Sequence, residues 1–407
     1  MKRIGNLYIV LISLLLLYAC DTRNNIEPRY ENTFIKLYGG RYQDKAVDFI
    51  PLDTGGFVIL GSTQSAATGT SKDILVIITD RQGNVFLQKQ LGDPNADEEP
   101  LRILQEASGF IICGNTISGN SQMGFLFAVN SQGDSTGEFQ TYPNYIFNDM
   151  ALASNGDIAL TGVYENKFVA EILISRTDFL DISTKSGISG IDNGMGFKIQ
   201  MDNEKWYKID HPEDVFRILA YFDNSIKIRL SNLVDDNGFY SIEGEVGDVF
   251  TEPIDFIHGF ENADNYYIIG YENSGSTQNG PVVFTVSSAG QSGNVLSSIY
   301  LSENNIDVDN IGNIMPVTLY KSGADYLLLG TELIPGSAKI RLLKLDKDFK
   351  VINDKSFGTG EEGDEAKKLE ILPDGSVVFL ATVNYKQGQP NTKIVLYKLT
   401  PDLELDY

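Results

Sequence analysis

The chain has 407 residues, with 55 acidic against 32 basic side chains and a net charge of −23. Such an acidic surface repels nucleic acid and anionic lipid headgroups, which excludes a nucleic-acid partner and a basic patch as the membrane attachment. The chain contains two cysteines and two histidines, too few for a disulfide scaffold or a three-histidine metal site.

The first 19 residues have the features of a bacterial export signal. Lys2 and Arg3 give a positive start, and an apolar run of 11 residues follows from Leu7 to Leu17. A membrane-spanning helix needs roughly 20 residues, whereas a run of this length suits the core of a signal peptide. We therefore expect residues 1–19 to be removed on export.

The segment Leu17-Tyr18-Ala19-Cys20 resembles the bacterial lipobox, in which an aliphatic, a variable and a small residue precede a cysteine. The resemblance implies cleavage after Ala19 and lipidation of Cys20, with two or three acyl chains giving a durable membrane anchor. Residues 20–31 are then a lipidated tether, and the expected location is the bacterial cell envelope, on the periplasmic or outer surface of the outer membrane. The alternative is an ordinary secretory signal with an incidental cysteine.

From residue 32 to the C-terminus, one motif recurs about every 53 residues: a turn, an apolar run, and often a glycine followed by a polar residue. A strand pattern precedes most copies and a hairpin follows them, so each unit predicts four antiparallel strands. Four-stranded units repeated around an axis are the blades of a β-propeller. We predict an all-β chain with a single propeller domain over residues 32–407, most simply of seven blades, with six as the alternative. The apolar runs of the copies begin at Phe57, Phe110, Ile158, Ile226, Tyr266, Tyr326 and Val377.

The recurring run is apolar at consecutive positions, which predicts a strand buried on both faces between neighbouring blades. Glycines precede an acidic residue in three of the units: Gly39 and Gly40 with Asp44, Gly92 with Asp97, and Gly358 with Asp364. This pattern resembles bacterial propeller repeats of a Gly-Gly/Asp type. The resemblance implies a scaffold fold more than an activity.

The two ends of the domain are complementary. The last unit lacks the segment equivalent to residues 354–358, and residues 33–39 supply a matching piece at the N-terminus. We expect this N-terminal strand to complete the last blade and close the ring, which leaves no long exposed sheet edge.

The repeat breaks over residues 187–214. These residues form either an irregular insertion or part of a divergent blade, namely the outer half of the third blade. This stretch holds the only tryptophan, Trp206, followed by Tyr207 and His211. Because Trp and Tyr often anchor interfaces, these three residues are the candidate binding contacts. The alternative is that Trp206 covers the core between blades.

The sequence contains no motif that predicts catalysis, a metal site or a cofactor. Cys113 stands alone in an apolar strand pattern and is expected to be a buried thiol. Asp307 and Asp309 begin a calcium-like loop that lacks the later ligands, which favours a solvated loop. We therefore predict a monomeric binding or scaffolding module for a protein or a glycan. The alternatives are a hydrolase or lyase with carboxylates in a central funnel, and an accessory subunit of an envelope assembly.

Overall fold

The structure, a computed structural model, describes residues 33–406 with internal gaps, and between residues 166 and 296 it describes largely the backbone. The gaps are residues 41–42, 65–70, 94, 107, 120, 138, 153–156, 166–167, 176–178, 180, 187–193, 202–214, 223–224, 233–253, 263–264, 273–279, 288–294 and 386–390.

The described residues form seven antiparallel sheets, of which six have four strands and one has three. Sheet 1 contains β2 (Asp44–Pro51), β3 (Phe57–Gln64), β4 (Lys72–Thr79) and β5 (Val85–Leu91). Sheet 2 contains β6 (Asp97–Glu106), β7 (Gly109–Ser118), β8 (Ser121–Asn130) and β9 (Gln140–Tyr142). Sheet 3 contains β10 (Tyr145–Leu152), β11 (Ile158–Tyr164), β12 (Phe168–Ile174) and β13 (Asp181–Ser186).

The second half of the chain continues the pattern. Sheet 4 contains β14 (Gly194–Met201), β15 (Val215–Phe222) and β16 (Ser225–Asn232). Sheet 5 contains β17 (Ile254–Asn262), β18 (Asn265–Glu272), β19 (Gly280–Ser287) and β20 (Val295–Tyr300). Sheet 6 contains β21 (Ile314–Ser322), β22 (Asp325–Ile334), β23 (Ser337–Leu345) and β24 (Val351–Phe357). Sheet 7 contains β25 (Glu365–Ile371), β26 (Val377–Asn384), β27 (Thr392–Leu399) and the N-terminal β1 (Phe34–Tyr38).

Two short helical turns connect sheets 5 and 6: the α-helix α1 (Leu301–Asn304) and a 3₁₀ turn at Ile311–Asn313. No helix in the described part of the chain is long and apolar enough to cross a membrane.

The sheets follow one another in a closed cycle. The first strand of each sheet contacts the first strand of the next, from β2 to β6 and onward to β25, which contacts β2 again. The first strands therefore surround a common axis, and the later strands of each sheet lie progressively farther out. The number of blades in the whole ring stays a prediction.

The N-terminal strand closes this cycle. β1 pairs antiparallel with β27, in a register from Phe34 opposite Lys398 to Tyr38 opposite Ile394. Farther along, the Tyr38 hydroxyl donates to the carbonyl of Gly83 in sheet 1 over 2.8 Å. The expectation that the N-terminal strand completes the last unit is confirmed.

The core lies between the sheets, and the second strands are buried on both faces as predicted. On β3, Phe57 and Ile59 pack with residues of sheet 7, whereas Val58 and Leu60 pack with residues of sheet 2. All four side chains are fully buried. Burial of each such side chain contributes about 1.5–3 kcal/mol, so the apolar runs are the main source of cohesion between neighbouring sheets.

The fourth unit differs from its sequence prediction. The run beginning at Ile226 lies in β16, the third strand of its sheet, whereas the other six runs form second strands. Residues Gly194–Met201 form the first strand of that sheet and pack against β10 and β11, so they are not the outer half of the third unit. The sequence match failed here because Asp223 and Asn224, residue types typical of turns, precede β16 just as turn residues precede the second strands of other units.

Candidate functional site

A β-bulge recurs at the same register in the first strand of all seven described sheets. In sheet 1 the register shifts between Ala46 and Asp48, opposite Gly61 and Leu60 of β3. A bulge bends its strand and re-aims the side chains beside it, and bulges are frequent next to functional sites. The residues that follow the bulges are Asp48, Arg102, Asp149, Lys198, His258, Thr318 and Lys368.

These register-equivalent positions carry charged or polar residues on strands that surround the axis. The four charged residues of this set in sheets 7, 1, 2 and 3 form a continuous series of ion pairs: Lys368 with Asp48, Asp48 with Arg102, and Arg102 with Asp149. We call Lys368, Asp48, Arg102 and Asp149, together with Glu370 and Tyr320, the first-strand network.

Asp48 is the centre of the network. Its side chain is buried; Oδ1 accepts from Lys368 Nζ at 2.8 Å, and Oδ2 accepts from the backbone N–H of Ile103 at 3.0 Å. Its own strand contributes the Phe49 N–H, 2.8 Å from Oδ1. Burial alone would raise the pKa of Asp48, but Lys368, Arg102 and these hydrogen bonds together hold it below its usual value.

Arg102 bridges two carboxylates. Its Nε lies 3.4 Å from Asp149 Oδ1 and 3.8 Å from Asp48 Oδ2, and it has no hydrogen-bond partner in the described part of the chain. The Asp149 carboxylate raises the pKa of Arg102 above its usual value, against the effect of burial. The side chain nevertheless keeps 31% of its surface accessible, so solvent reaches the first strands at this point.

The network extends to sheet 6 on the other side of Asp48. Lys368 Nζ lies 3.3 Å from Glu370 Oε1, and the Tyr320 hydroxyl donates to Glu370 Oε2 over 3.3 Å. Lys368 also donates to the carbonyl of Phe49 at 2.9 Å and stands 5.5 Å from the centre of its ring. Burial, and then the Glu370 carboxylate, raise the pKa of Tyr320 to about 12.

This arrangement limits the chemistry that the network can perform. Asp48 stays ionised at neutral pH and is occupied by two cations, so it has no proton to donate and little tendency to accept one. Tyr320 keeps its proton at neutral pH and is therefore a poor general base. The described part of the network is suited to fixing the strands, and it leaves part of the Arg102 side chain open to solvent.

A second repeated arrangement fastens the loops that lead from one sheet to the next. Asp44 accepts from the N–H of Gly40 at 2.8 Å, and Asp364 accepts from the N–H of Gly360 at 3.0 Å. In sheet 2 the equivalent carboxylate is Glu98, which accepts from Asp93 N–H at 3.0 Å. The sequence pattern assigned this role to Asp97, one residue too early. We call these three carboxylates the loop clips.

Steric contacts explain why glycine occurs at these positions of the pattern. Gly39, Gly92 and Gly358 all have positive φ. A Cβ atom on Gly39 would lie 2.3 Å from Asp44 Oδ2, and one on Gly358 would lie 2.3 Å from Asp364 Oδ2. Only glycine admits both the conformation and the close approach of the carboxylate.

The predicted contact residues cannot be placed. Trp206, Tyr207 and His211, like Cys20, lie outside the described residues. Cys113 is described and is fully buried as expected, and burial raises the pKa of its thiol. Asp307 and Asp309 are exposed, and no group of three or more metal-binding side chains occurs in the described part of the chain.

Sequence patterns did not predict the first-strand network. Its members are far apart in the chain, and many other charged residues surround them in sequence. The sequence does hold a signal: Asp48, Asp149 and Lys368 each lie nine residues, and Arg102 eight residues, before the first residue of the recurring apolar run.

Comparison with known proteins identifies the fold. No protein-family model matches the chain, and no curated protein matches it. Among solved structures, the chain is similar to a polysaccharide lyase, an ulvan lyase bound to a saccharide, with a TM-score of 0.52 and 10% identity over 90% of this chain and 96% of that one. It is also similar to the WD40 β-propeller domain of Doa1, with a TM-score of 0.51 and 9% identity over 89% of this chain and 97% of that one.

Similarity at such low identity establishes fold and not activity. Both structures match almost along their whole length, and the chain has the closed cycle of antiparallel sheets described above. The chain is a β-propeller.

Proposed function

We propose that this propeller is a lipid-anchored module of the bacterial cell envelope that binds or scaffolds a protein or a glycan. The anchor is inferred from the resemblance of residues 17–20 to the lipobox, and the observation that favours binding over catalysis is the pairing of the Asp48 carboxylate with cationic side chains. The buried carboxylate at the centre of the first strands is paired with Lys368 and is held at low pKa, which suits a rigid frame better than acid–base chemistry.

A hydrolase or lyase remains the second candidate, because acidic, basic and phenolic side chains do converge on the first strands. Arg102 is accessible to solvent, and the Glu370 carboxylate lies beside the Tyr320 hydroxyl. Such groups are found in many active sites. The raised pKa of Tyr320 and the ion pair of Glu370 with Lys368 weigh against proton abstraction here.

One experiment separates the two candidates. The full chain, extracted in detergent, is applied to a glycan array and incubated with neutral and acidic polysaccharides and with peptide libraries, while product formation is followed. We expect binding without turnover. Turnover that is lost in Glu370→Gln and in Tyr320→Phe, but kept in Asp402→Asn on an exposed loop, would establish the enzyme instead.

The membrane anchor has its own test. Cells are labelled with an alkyne analogue of palmitate, and the membrane fraction is analysed. We expect Cys20→Ser to lose both the label and membrane association, whereas Cys113→Ser, the other cysteine, keeps both. Equal labelling of the wild type and Cys20→Ser would contradict lipidation, and protease treatment of intact cells would assign the surface on which the protein stands.

The contact residues Trp206, Tyr207 and His211 are tested once a ligand is found. If they form the binding surface, Trp206→Ala abolishes binding while the melting temperature is unchanged. Phe86, which is 78% exposed on β5, supplies the control, and Phe86→Ala should bind normally. A Trp206→Ala protein that no longer folds would support the alternative that Trp206 covers the core. Light scattering of the same samples tests the expected monomer.

A further inference from the structure

The three loop clips differ in how their carboxylates are satisfied. Asp44 accepts from the Thr63 hydroxyl at 2.6 Å and from Lys393 Nζ at 3.0 Å, in addition to the N–H of Gly40. Its negative charge is therefore balanced by a lysine on the third strand of the preceding sheet.

Asp364 is satisfied by neutral donors. It accepts from the N–H groups of Thr359 at 2.6 Å, Gly360 at 3.0 Å and Asn384 at 2.8 Å. The Thr359 hydroxyl adds a further bond at 3.0 Å. Each oxygen of Asp364 thus has at least two donors.

Glu98 lacks such partners. The side chain is fully buried; Oε1 accepts one bond, from the N–H of Asp93, and Oε2 has no partner in the described part of the chain. A buried carboxylate oxygen without a donor is costly, because it has given up its hydration and received nothing in exchange.

The residue that faces Glu98 explains the difference. In sheet 7, Lys393 lies two residues before Val395, the partner of Ala381. In sheet 1, Gly61 holds the place of Ala381, and its partner Leu75 therefore holds the place of Val395. The residue two positions before Leu75 is Asp73, so Asp73 is equivalent to Lys393. A lysine balances the first clip, whereas a second carboxylate faces the Glu98 clip.

The two carboxylates converge on one point. If Gly92 carried a Cβ atom, Glu98 Oε2 would lie 2.4 Å from it and Asp73 Oδ1 would lie 3.0 Å from it. Asp73 is itself buried, and its other oxygen accepts from the side-chain amide of Gln90. The nearby Asp97 accepts a hydrogen bond from the backbone N–H of Lys72. The ammonium group of Lys72 is paired with Glu99 and not with Glu98 or Asp73.

We propose that Glu98 and Asp73 bind a divalent cation of the Ca²⁺ class, which balances the junction of sheets 1 and 2 as Lys393 balances the junction of sheets 7 and 1. Ca²⁺ prefers carboxylate and carbonyl oxygens and tolerates water among its ligands. The two carboxylates supply the charged part of that shell. The cation is structural and is independent of what the propeller binds.

The electrostatics of the cation-free site agree with this geometry. Burial, and then the charges of Asp73, Asp93 and Asp97, raise the pKa of Glu98 to about 7, although the bond from Asp93 N–H acts in the opposite direction. Without a metal ion the site therefore takes up a proton at mildly acidic pH, and a divalent cation competes with that proton.

The test uses the full chain, freed of metal with a chelator and held at pH 8. Melting temperature is measured against Ca²⁺ concentration, with Mg²⁺ and K⁺ as comparisons, and calorimetric titration gives the stoichiometry. We expect Ca²⁺ to raise the melting temperature with saturation at one strong site. An acidic protein also binds Ca²⁺ loosely at its surface. Asp402→Asn, on an exposed loop, is therefore the control and should keep the one strong Ca²⁺ site.

Two variants make the proposal falsifiable even if one folds poorly. Glu98→Gln should lose the strong site. Asp73→Lys copies the Lys393 arrangement, so it should melt higher than the metal-free wild type and no longer respond to Ca²⁺. The proposal is overturned if Ca²⁺ has no effect on the wild type, if Asp73→Lys keeps the response, or if lowering the pH from 8 to 6 stabilises the wild type while Ca²⁺ does not.

Discussion

The ammonium nitrogen of Lys368 lies 2.8 Å from Oδ1 of Asp48, although the two residues stand near opposite ends of the domain sequence. The pair joins the first strand of sheet 7 to the first strand of sheet 1, at the junction where the cycle closes. β1 closes the same junction on the outside through its pairing with β27. The ring is therefore closed by an ion pair between first strands near the axis and by backbone hydrogen bonds between strands at the outer edge.

Removal of Lys368 should weaken this junction. Lys368→Met leaves the buried Asp48 carboxylate without its closest cation, and breaking such a pair typically costs about 3 kcal/mol. The free energy of unfolding from urea titration measures the loss. Lys347→Gln, which removes an exposed pair with Asp348, should have no measurable effect. If the double variant Asp48→Asn with Lys368→Met were no more stable than Lys368→Met alone, the stranded charge would not be the cause.

The Asp48 pair should also set a limit of stability in acid. The folded pKa of Asp48 is lowered, so its stabilisation is complete above the unfolded value of about 3.9 and is lost as the pH falls through the lower folded value. Melting temperature from pH 7 to pH 2 measures the loss, and Asp48→Asn should flatten the curve below about pH 4. Equal acid slopes in the wild type and Asp48→Asn would refute this assignment.

Two glycines of one loop separate a conformational cost from a steric one. Gly360 has φ +78° with nothing near a Cβ position, so Gly360→Ala should cost roughly 1–2 kcal/mol. Gly358 has φ +95° and a Cβ there would clash with Asp364, so Gly358→Ala should cost at least about 1 kcal/mol more, because a clip hydrogen bond must also break. Chemical denaturation measures both, and equal costs would mean that the clip contributes nothing.

Cys113 should be unreactive in the folded chain. Its side chain is fully buried and its thiol pKa is raised, so little thiolate forms and reagents cannot reach it. In a Cys20→Ser protein, thiol titration at pH 8 should find no reactive thiol in buffer and one in denaturant. A rapid reaction in buffer would show that the strand β7 opens locally.

The closing strand can be removed. A chain that begins at residue 43 lacks β1, which leaves the edge of β27 unpaired and the Tyr38 hydrogen bond to Gly83 absent. Exposed sheet edges pair with other chains, so we expect a lower melting temperature and higher oligomers on gel filtration. A chain that begins at residue 32 is the control and should behave as the full-length domain. A monomeric, stable short chain would show that the inner contacts suffice for closure.

Much of the architecture could be predicted from the order of residues because its causes are local. The apolar run from Phe57 to Leu60 predicted a strand buried on both faces, and the surplus strand at residues 33–39 predicted how the ring closes. The same reasoning failed at Ile226, where turn-type residues precede a third strand instead of a second one, and at Asp97, where the loop clip is Glu98. A shift of one residue turns a side chain to the other face of a strand, and the sequence alone does not set that register.

By itself, the sequence predicted the repeating unit and the all-β fold, which depend on composition and short-range periodicity. It also predicted the joining of the ends, because the last unit lacks a strand that the N-terminus supplies. Only the tertiary structure decided that Asp48, Arg102, Asp149 and Lys368 share one register around the axis, and that Asp73 stands where the neighbouring junction has Lys393. The physical reason is that an ion pair is specified by distance in space. That distance depends on bulges and on the packing of sheets that are remote in the chain.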